Sequence, residues 1–453
     1  MTLSRREFLV GCSAAIAALA GSRVTNLVFA NPADTTARDI LVVVFLRGGC
    51  DGLNLVAPTG DRNYADARPV VRVPNSGSGA GISINNAIAP VDFRLHPRAA
   101  SLKELYDSRN LAIVHACGLT NDTRSHFDAM DYMEAGLNDD KNSNGWLVRH
   151  LNSISASGIM PAVSALGSVP KSLRGSSQAL SINDVNNFRL QGNSTTYTNQ
   201  QQEALRAMYA AAGSPIHQVG LSTLDAINTV NSKIARDSQN RPLPYTPEAG
   251  AVYPTQYGTS LGNALRIVAQ LIKMDVGLQV ATVDYGGWDT HGDQNRFFGN
   301  LVEGLALAMH AFYNDMNRYA SRLTVAVVSE FGRRLKENQS AGTDHGHGNV
   351  MFVMGGYVNG GKMYGSWPGL ATEQLDNRVD LAITTDYRAV LAEILSQRLA
   401  NPNVAEVFPR FSVPAQPLDI VRATNGQPNP PARPMQPAPA PGNSRIFLPL
   451  VRR

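Results

Sequence analysis

Four of the chain's nine histidines stand in short loops beside acids and glycines, the residue types and spacing that hold a metal ion. Thr343-Asp344-His345-Gly346-His347-Gly348-Asn349 places two imidazoles and a carboxylate in a glycine loop, the strongest local metal signal in the sequence. Gly286-Gly287-Trp288-Asp289-Thr290-His291 offers a carboxylate oxygen and an imidazole nitrogen from one loop, a pair suited to zinc, manganese or a similar divalent ion. A surface Asp-His hydrogen bond would use the same residues. Two further stretches carry acids next to glycine: Arg47-Gly48-Gly49-Cys50-Asp51-Gly52 and Ser329-Glu330-Phe331-Gly332-Arg333-Arg334.

A different chemistry is written in Asp122-Thr123-Arg124-Ser125-His126-Phe127-Asp128. Ser125 followed three residues on by Asp128 is a helix start, and a hydroxyl there feels the positive end of the helix dipole. Thr123 and Ser125 are both candidate nucleophiles, Arg124 would hold anionic oxygens, and His126 could move a proton. An ordinary capping serine fits the same pattern.

These loops need a scaffold that brings them together. Asp39–Leu46 is a nearly continuous β-branched run, as in a strand buried on both faces of a parallel sheet. Asn110–Ala116, Ala162–Leu166, Leu278–Asp284, Leu323–Ser329 and Val350–Met354 are further short apolar runs. Helical stretches lie between them at Ala99–Tyr106, Thr259–Met274, Phe297–Ala320 and Asp386–Arg398. Leu301, Leu305, Met309 and Phe312 recur at helical spacing, a face that packs on a sheet. The alternation predicts an α/β fold with a doubly wound, mostly parallel sheet flanked by helices. Most of the chemical motifs then follow strands, at the sheet edge where such folds bind ligands.

With 453 residues, 43% of them hydrophobic and 17% charged, the chain can bury a large core and is neither disordered nor a coiled coil. Net charge is +4, and three arginines against Glu7 put +2 of it in the first 30 residues, leaving too little elsewhere for nucleic acid. Three cysteines and no dinucleotide fingerprint argue against a disulfide scaffold and a redox enzyme. Cys50 and Cys117 each follow a strand-like run, so a disulfide between them is permitted but not required.

Ser4-Arg5-Arg6-Glu7-Phe8-Leu9 before the small apolar stretch Val10–Ala20 reads as a twin-arginine export signal over residues 1–30, with partners in the export machinery and a destination in the periplasm, at the cell surface or outside. No later apolar run is long enough to span a membrane. Residues 31–426 form the expected α/β domain, with a polar insertion around 190–255. Seven prolines between Pro428 and Pro441 mark 427–453 as an extended tail.

The motifs Arg47–Asn54, Thr123–Asp128, Gly287–His291, Ser329–Arg333 and Thr343–Asn349, in this order behind the arginine pair, resemble the bacterial exported family known as domain of unknown function 1501. That family is similar to the alkaline phosphatase and sulfatase superfamily, which implies an alkaline phosphatase-like fold, a one- or two-metal site and a nucleophile at a helix N-terminus. The resemblance assigns metal ligation to Asp51, Asp289, His291, Glu330, His345 and His347. Two positions depart from the superfamily pattern: Asp-x-x-x-His is contracted to Asp289-Thr290-His291, and Phe331 stands where a histidine is usual. The function implied is metal-dependent hydrolysis of a phosphate or sulfate ester. The alternative, suggested by Phe331 and the proline tail, is a non-catalytic exported binding or surface protein with a degenerate metal site.

Overall fold

A computed structural model describes residues 38–156, 158–176, 178–190, 197–210, 215–423 and 427–430. The export-signal region and nearly all of the proline tail lie outside the described residues.

Fourteen strands occur in chain order: β1 Ile40–Leu46, β2 Val56–Pro58, β3 Ile82–Ser83, β4 Phe93–Leu95, β5 Leu111–Gly118, β6 Ala162–Ser164, β7 Ala179–Ser181, β8 Val280–Tyr285, β9 Leu323–Val328, β10 Arg333–Glu337, β11 Thr343–His345, β12 Asn349–Gly355, β13 Met363–Tyr364 and β14 Thr385–Asp386. Nine of them make one sheet in the order β13-β5-β12-β9-β1-β8-β6-β7, with β14 also paired to β5. All run parallel except β12, which is antiparallel to both β5 and β9. β10 and β11 form a separate hairpin, and β2, β4 and β3 a small antiparallel sheet.

The continuous hydrophobicity of β1 has a direct cause. Ile40, Val42, Val44 and Leu46 enter one apolar core, whereas Leu41, Val43 and Phe45 enter the other. On the first face pack the helices Ala100–Asp107, Thr259–Lys273 and Gln294–Asp315; on the second lie His126–Ala135, Trp146–Ser153 and Tyr387–Gln397. Between residues 190 and 255 the described helices are Thr198–Ala210 and Pro215–Lys233, which send Leu205, Leu224, Ile227 and Val230 into the first core. Their Asn, Gln and Ser residues suit the solvent side of an amphipathic helix.

Register aligns the strand ends. Leu46 of β1 pairs with Tyr285 of β8, and Phe45 with Val328 of β9, so the loops that follow leave the sheet at one level. β12 enters the sheet there, Asn349 pairing with Cys117 of β5. Among the described residues, no helix is long and apolar enough to cross a membrane. Cys50 and Cys117 are both buried and free, so the permitted disulfide is not formed.

Candidate metal centre

The carboxyl ends of β1, β5, β8 and β9 and the amino end of β12 bring five loops to one edge of the sheet. The turn after β1 passes close beneath the β8 loop. Gly48 has φ +117°, and a Cβ there would lie 2.7 Å from the Asp289 backbone nitrogen. Gly49, at φ +61°, lies flat on Phe331, whose ring a Cβ would meet at 2.5 Å. Only glycine meets both demands, positive φ and close approach.

At this edge three imidazoles surround one carboxylate oxygen. Asp289 Oδ1 lies 3.0 Å from His291 Nε2, 3.2 Å from His345 Nε2 and 3.4 Å from His126 Nε2. His126, Asp289 and His345 have ligand atoms close enough together to share an ion, and His291 Nε2 lies 2.8 Å from His345 Nε2. Each ring is fixed from behind through Nδ1. His126 Nδ1 is 2.8 Å from Glu330 Oε1, His345 Nδ1 is 2.9 Å from the Arg124 carbonyl, and His291 Nδ1 is 3.2 Å from Asp344 Oδ1. Ring partners of this kind fix the tautomer of a metal-binding histidine and leave the other nitrogen free for the ion.

Phe331 is the floor of the cluster. It is buried, with its ring centroid 4.7 Å from that of His126 and 4.9 Å from that of His345. Arg333, also buried, donates from Nη2 to Asp289 Oδ1 at 2.6 Å and from Nε to the Gly49 carbonyl at 2.6 Å. Burial raises the Asp289 carboxyl, but hydrogen bonding and charge from Arg333 prevail and bring its pKa down to about 2. For Glu330 burial is likewise outweighed, by the His126 ring and by backbone N–H groups including that of Gly48, so it lies below the usual carboxylate range. The hydrogen bond to Glu330 raises the His126 pKa, while burial lowers that of His345.

Of the residues singled out in the sequence, Asp289, His291, His345 and His126 thus meet. His126 sits among the ring nitrogens rather than apart as a proton carrier. Glu330 touches the cluster only through His126. Asp51 stands elsewhere: its buried carboxylate takes Arg68 Nη1 at 2.7 Å and Gln294 Nε2 at 2.6 Å. His347 joins a second group with Asp122 and Asp376; its Nδ1 is 2.6 Å from Asp376 Oδ2 and its Nε2 3.0 Å from the Leu119 carbonyl.

The hydroxyl loop divides in a similar way. Ser125 is the N-cap of the helix His126–Ala135, its Oγ accepting from the Asp128 N–H at 3.4 Å, and the residue is exposed. Thr123 Oγ1 accepts from the Ser125 N–H at 3.2 Å. The Arg124 guanidinium is taken up by Asp122, at 2.7 Å, and by Asp380, so it is not an open anion clamp. Sequence reasoning marked Asp344 only as the carboxylate of its glycine-loop metal signal and gave Arg333 and Arg68 no role. The first two stood inside motifs already marked, whereas nothing local singled out Arg68.

No curated protein matches the chain in sequence. Two solved structures are similar to it at a low level. Ps i-CgsB is 13% identical, with 73% of this chain and 68% of that one covered and a TM-score of 0.29. A Bacteroides thetaiotaomicron protein labelled BT33494S-sulf, described under metabolism of multiple glycosaminoglycans, is 9% identical, with 82% and 74% covered and a TM-score of 0.29. The family description that matches covers residues 112–400, more than half of the chain and four of its five motif loops: the chain belongs to the family described as protein of unknown function (DUF1501).

Proposed function

We propose that the protein is an exported, metal-dependent hydrolase of phosphate or sulfate esters with an alkaline phosphatase-like plan, in which His126, Asp289, His291 and His345 hold one divalent cation, zinc, manganese or similar. One observation carries this reading. The acceptors at Glu330, Asp344 and the Arg124 carbonyl take a hydrogen from each Nδ1, so in the neutral rings every Nε2 offers a lone pair. His291 and His345 then face each other at 2.8 Å with no hydrogen to share, beside the anionic Asp289. His126 Nε2 is buried and makes no hydrogen bond among the described residues. Lone pairs crowded in this way repel, and a cation among them answers all four at once.

The ion would polarise an ester oxygen and lower the pKa of a bound hydroxyl or water. Ser125 is the hydroxyl best situated to attack: it is exposed, adjoins His126 in the chain, and caps a ten-residue helix whose positive end favours an anionic ester. Thr123 supports it by accepting the Ser125 N–H. Arg333 keeps Asp289 ionised, and Phe331 keeps the rings upright. The test is a panel of phosphate monoesters, diesters and sulfate esters given to metal-loaded protein. Turnover that disappears on chelation and in His345→Ala supports the reading. A silent panel with metal bound removes the catalytic part and leaves a binding protein. Export is tested separately: lysines at Arg5 and Arg6 should leave the protein in the cytoplasm.

A further inference from the structure

We infer that the opposite edge of the sheet carries a binding site of its own, for a small hydroxylated anion such as a sugar phosphate. A cavity of about 330 Å³ opens there, at the small end of the range for ligand pockets. It lies where β5 begins and β12 ends: the N–H of Gly361, in its wall, donates to the Leu111 carbonyl at 2.9 Å. The histidine cluster stands at the other end of these strands, roughly 20 Å away by the rise of a strand from Leu111 to Cys117. The inference is therefore independent of the metal reading above.

The lining sets the chemistry of the ligand. Three cations, Arg109, Lys362 and Arg422, stand there against one acid, Asp419. Among the described residues none of these four is in an ion pair. Arg422 Nε is buried and has no acceptor among the described residues, although its Nη2 donates to Asn429 Oδ1 at 2.9 Å. Unanswered cationic donors in a cavity call for an anion. The Asn359 amide and the Asp419 carboxylate, also in the wall, add donors and acceptors that suit hydroxyls. Val358 is the one apolar side chain in the lining, so a greasy ligand has nothing to rest on.

Distant segments are fastened together around the cavity. The Asn359 N–H donates to the Ile420 carbonyl at 2.7 Å, and the Asn429 side chain donates to the Arg109 carbonyl at 2.6 Å and to the Val358 carbonyl at 2.7 Å. Arg109 holds its place against the backbone's preference. It is the second residue after the helix Ala100–Asp107, at φ +62°, with its N–H on the Tyr106 carbonyl at 3.0 Å and the Asn110 N–H on the Leu105 carbonyl at 2.9 Å. Glycine is the residue favoured at such a helix end. Arginine there accepts the strain and adds a guanidinium to the cavity.

Calorimetric titration of the full chain, with EDTA present to keep metal out, tests this with glucose 6-phosphate, glucose and inorganic phosphate as probes. Glucose 6-phosphate should bind one molecule per chain, more tightly than phosphate, and glucose should not bind. Arg109→Gly relieves the positive φ and should melt no lower than the wild type, yet bind about tenfold or more weakly, the loss of a hydrogen bond to a charged group. Lys362→Ala should weaken binding to a similar extent, and His345→Ala should bind like the wild type. No saturable binding of glucose 6-phosphate, or binding that His345→Ala removes and Arg109→Gly leaves intact, would overturn the inference. Phosphate binding as tightly as glucose 6-phosphate would overturn the hydroxylated body of the ligand.

Discussion

His126 and Glu330, 204 residues apart in the chain, meet at 2.8 Å between Nδ1 and Oε1, joining the first residue of a helix to the second residue after β9. The contact fixes which nitrogen of His126 faces Asp289. On the proposed reading Glu330 would therefore govern the cation without touching it. Glu330→Gln keeps an acceptor for the ring but loses the charge, and it should weaken metal affinity roughly 10- to 100-fold. Competition against a chelator of known affinity measures this, with the circular dichroism spectrum unchanged. Undiminished affinity would separate Glu330 from the site.

Ser125 is an N-cap and, on the proposed reading, also the attacking hydroxyl, two roles that substitution can part. As an N-cap its loss to Ala should cost about 1 kcal/mol of stability, whereas Asn caps equally well. Ser125→Asn should therefore melt like the wild type yet turn over no ester. If Ser125→Asn remains active, the attacking oxygen is not that of Ser125.

Much of the scaffold was legible because burial on both faces leaves a plain mark. β1, β5, β8, β9 and β12 all fall on the apolar runs, within two residues at each end, and the long helices fall on the 3.6-residue periodicity. The antiparallel direction of β12 was not legible, since a run of Val350 to Met354 reads the same whichever way it enters the sheet. The loops that carry the chemistry were visible as motifs. Which side chains turn inward was not. Asp51 and Asp289 follow neighbouring strands, yet one is drawn toward Arg68 and Gln294 and the other toward three imidazoles. His345 and His347 stand two residues apart and serve different clusters. Such choices depend on partners 17 to 243 residues away, and no local spacing encodes them.

Buried histidines give the fold an acid limit. His115 is fully buried and neutral, with Nε2 on the Val56 carbonyl and Nδ1 accepting from the Ala116 N–H. Burial lowers its pKa to about 4, and does the same for His150. The unfolded chain binds these protons near pH 6.5 and the folded one only near 4, so the stability they contribute is complete above pH 6.5 and falls as pH drops through that window. Each group accounts for roughly 3 kcal/mol across it. Urea midpoints at pH 7 and pH 4.5 should show the loss, and His115→Gln should flatten the slope. An unaltered slope would assign the acid sensitivity to other groups.

The central claim is that loops distant in sequence meet to hold one cation. Crystals of the protein soaked in zinc, with anomalous data collected at the zinc edge, address it directly. The account predicts a single peak at about 2.0–2.2 Å from the Nε2 atoms of His126, His291 and His345 and from an Asp289 carboxylate oxygen, the distances of zinc to nitrogen and oxygen ligands. A peak on Asp51 or His347 instead, or none at this edge of the sheet, would contradict it.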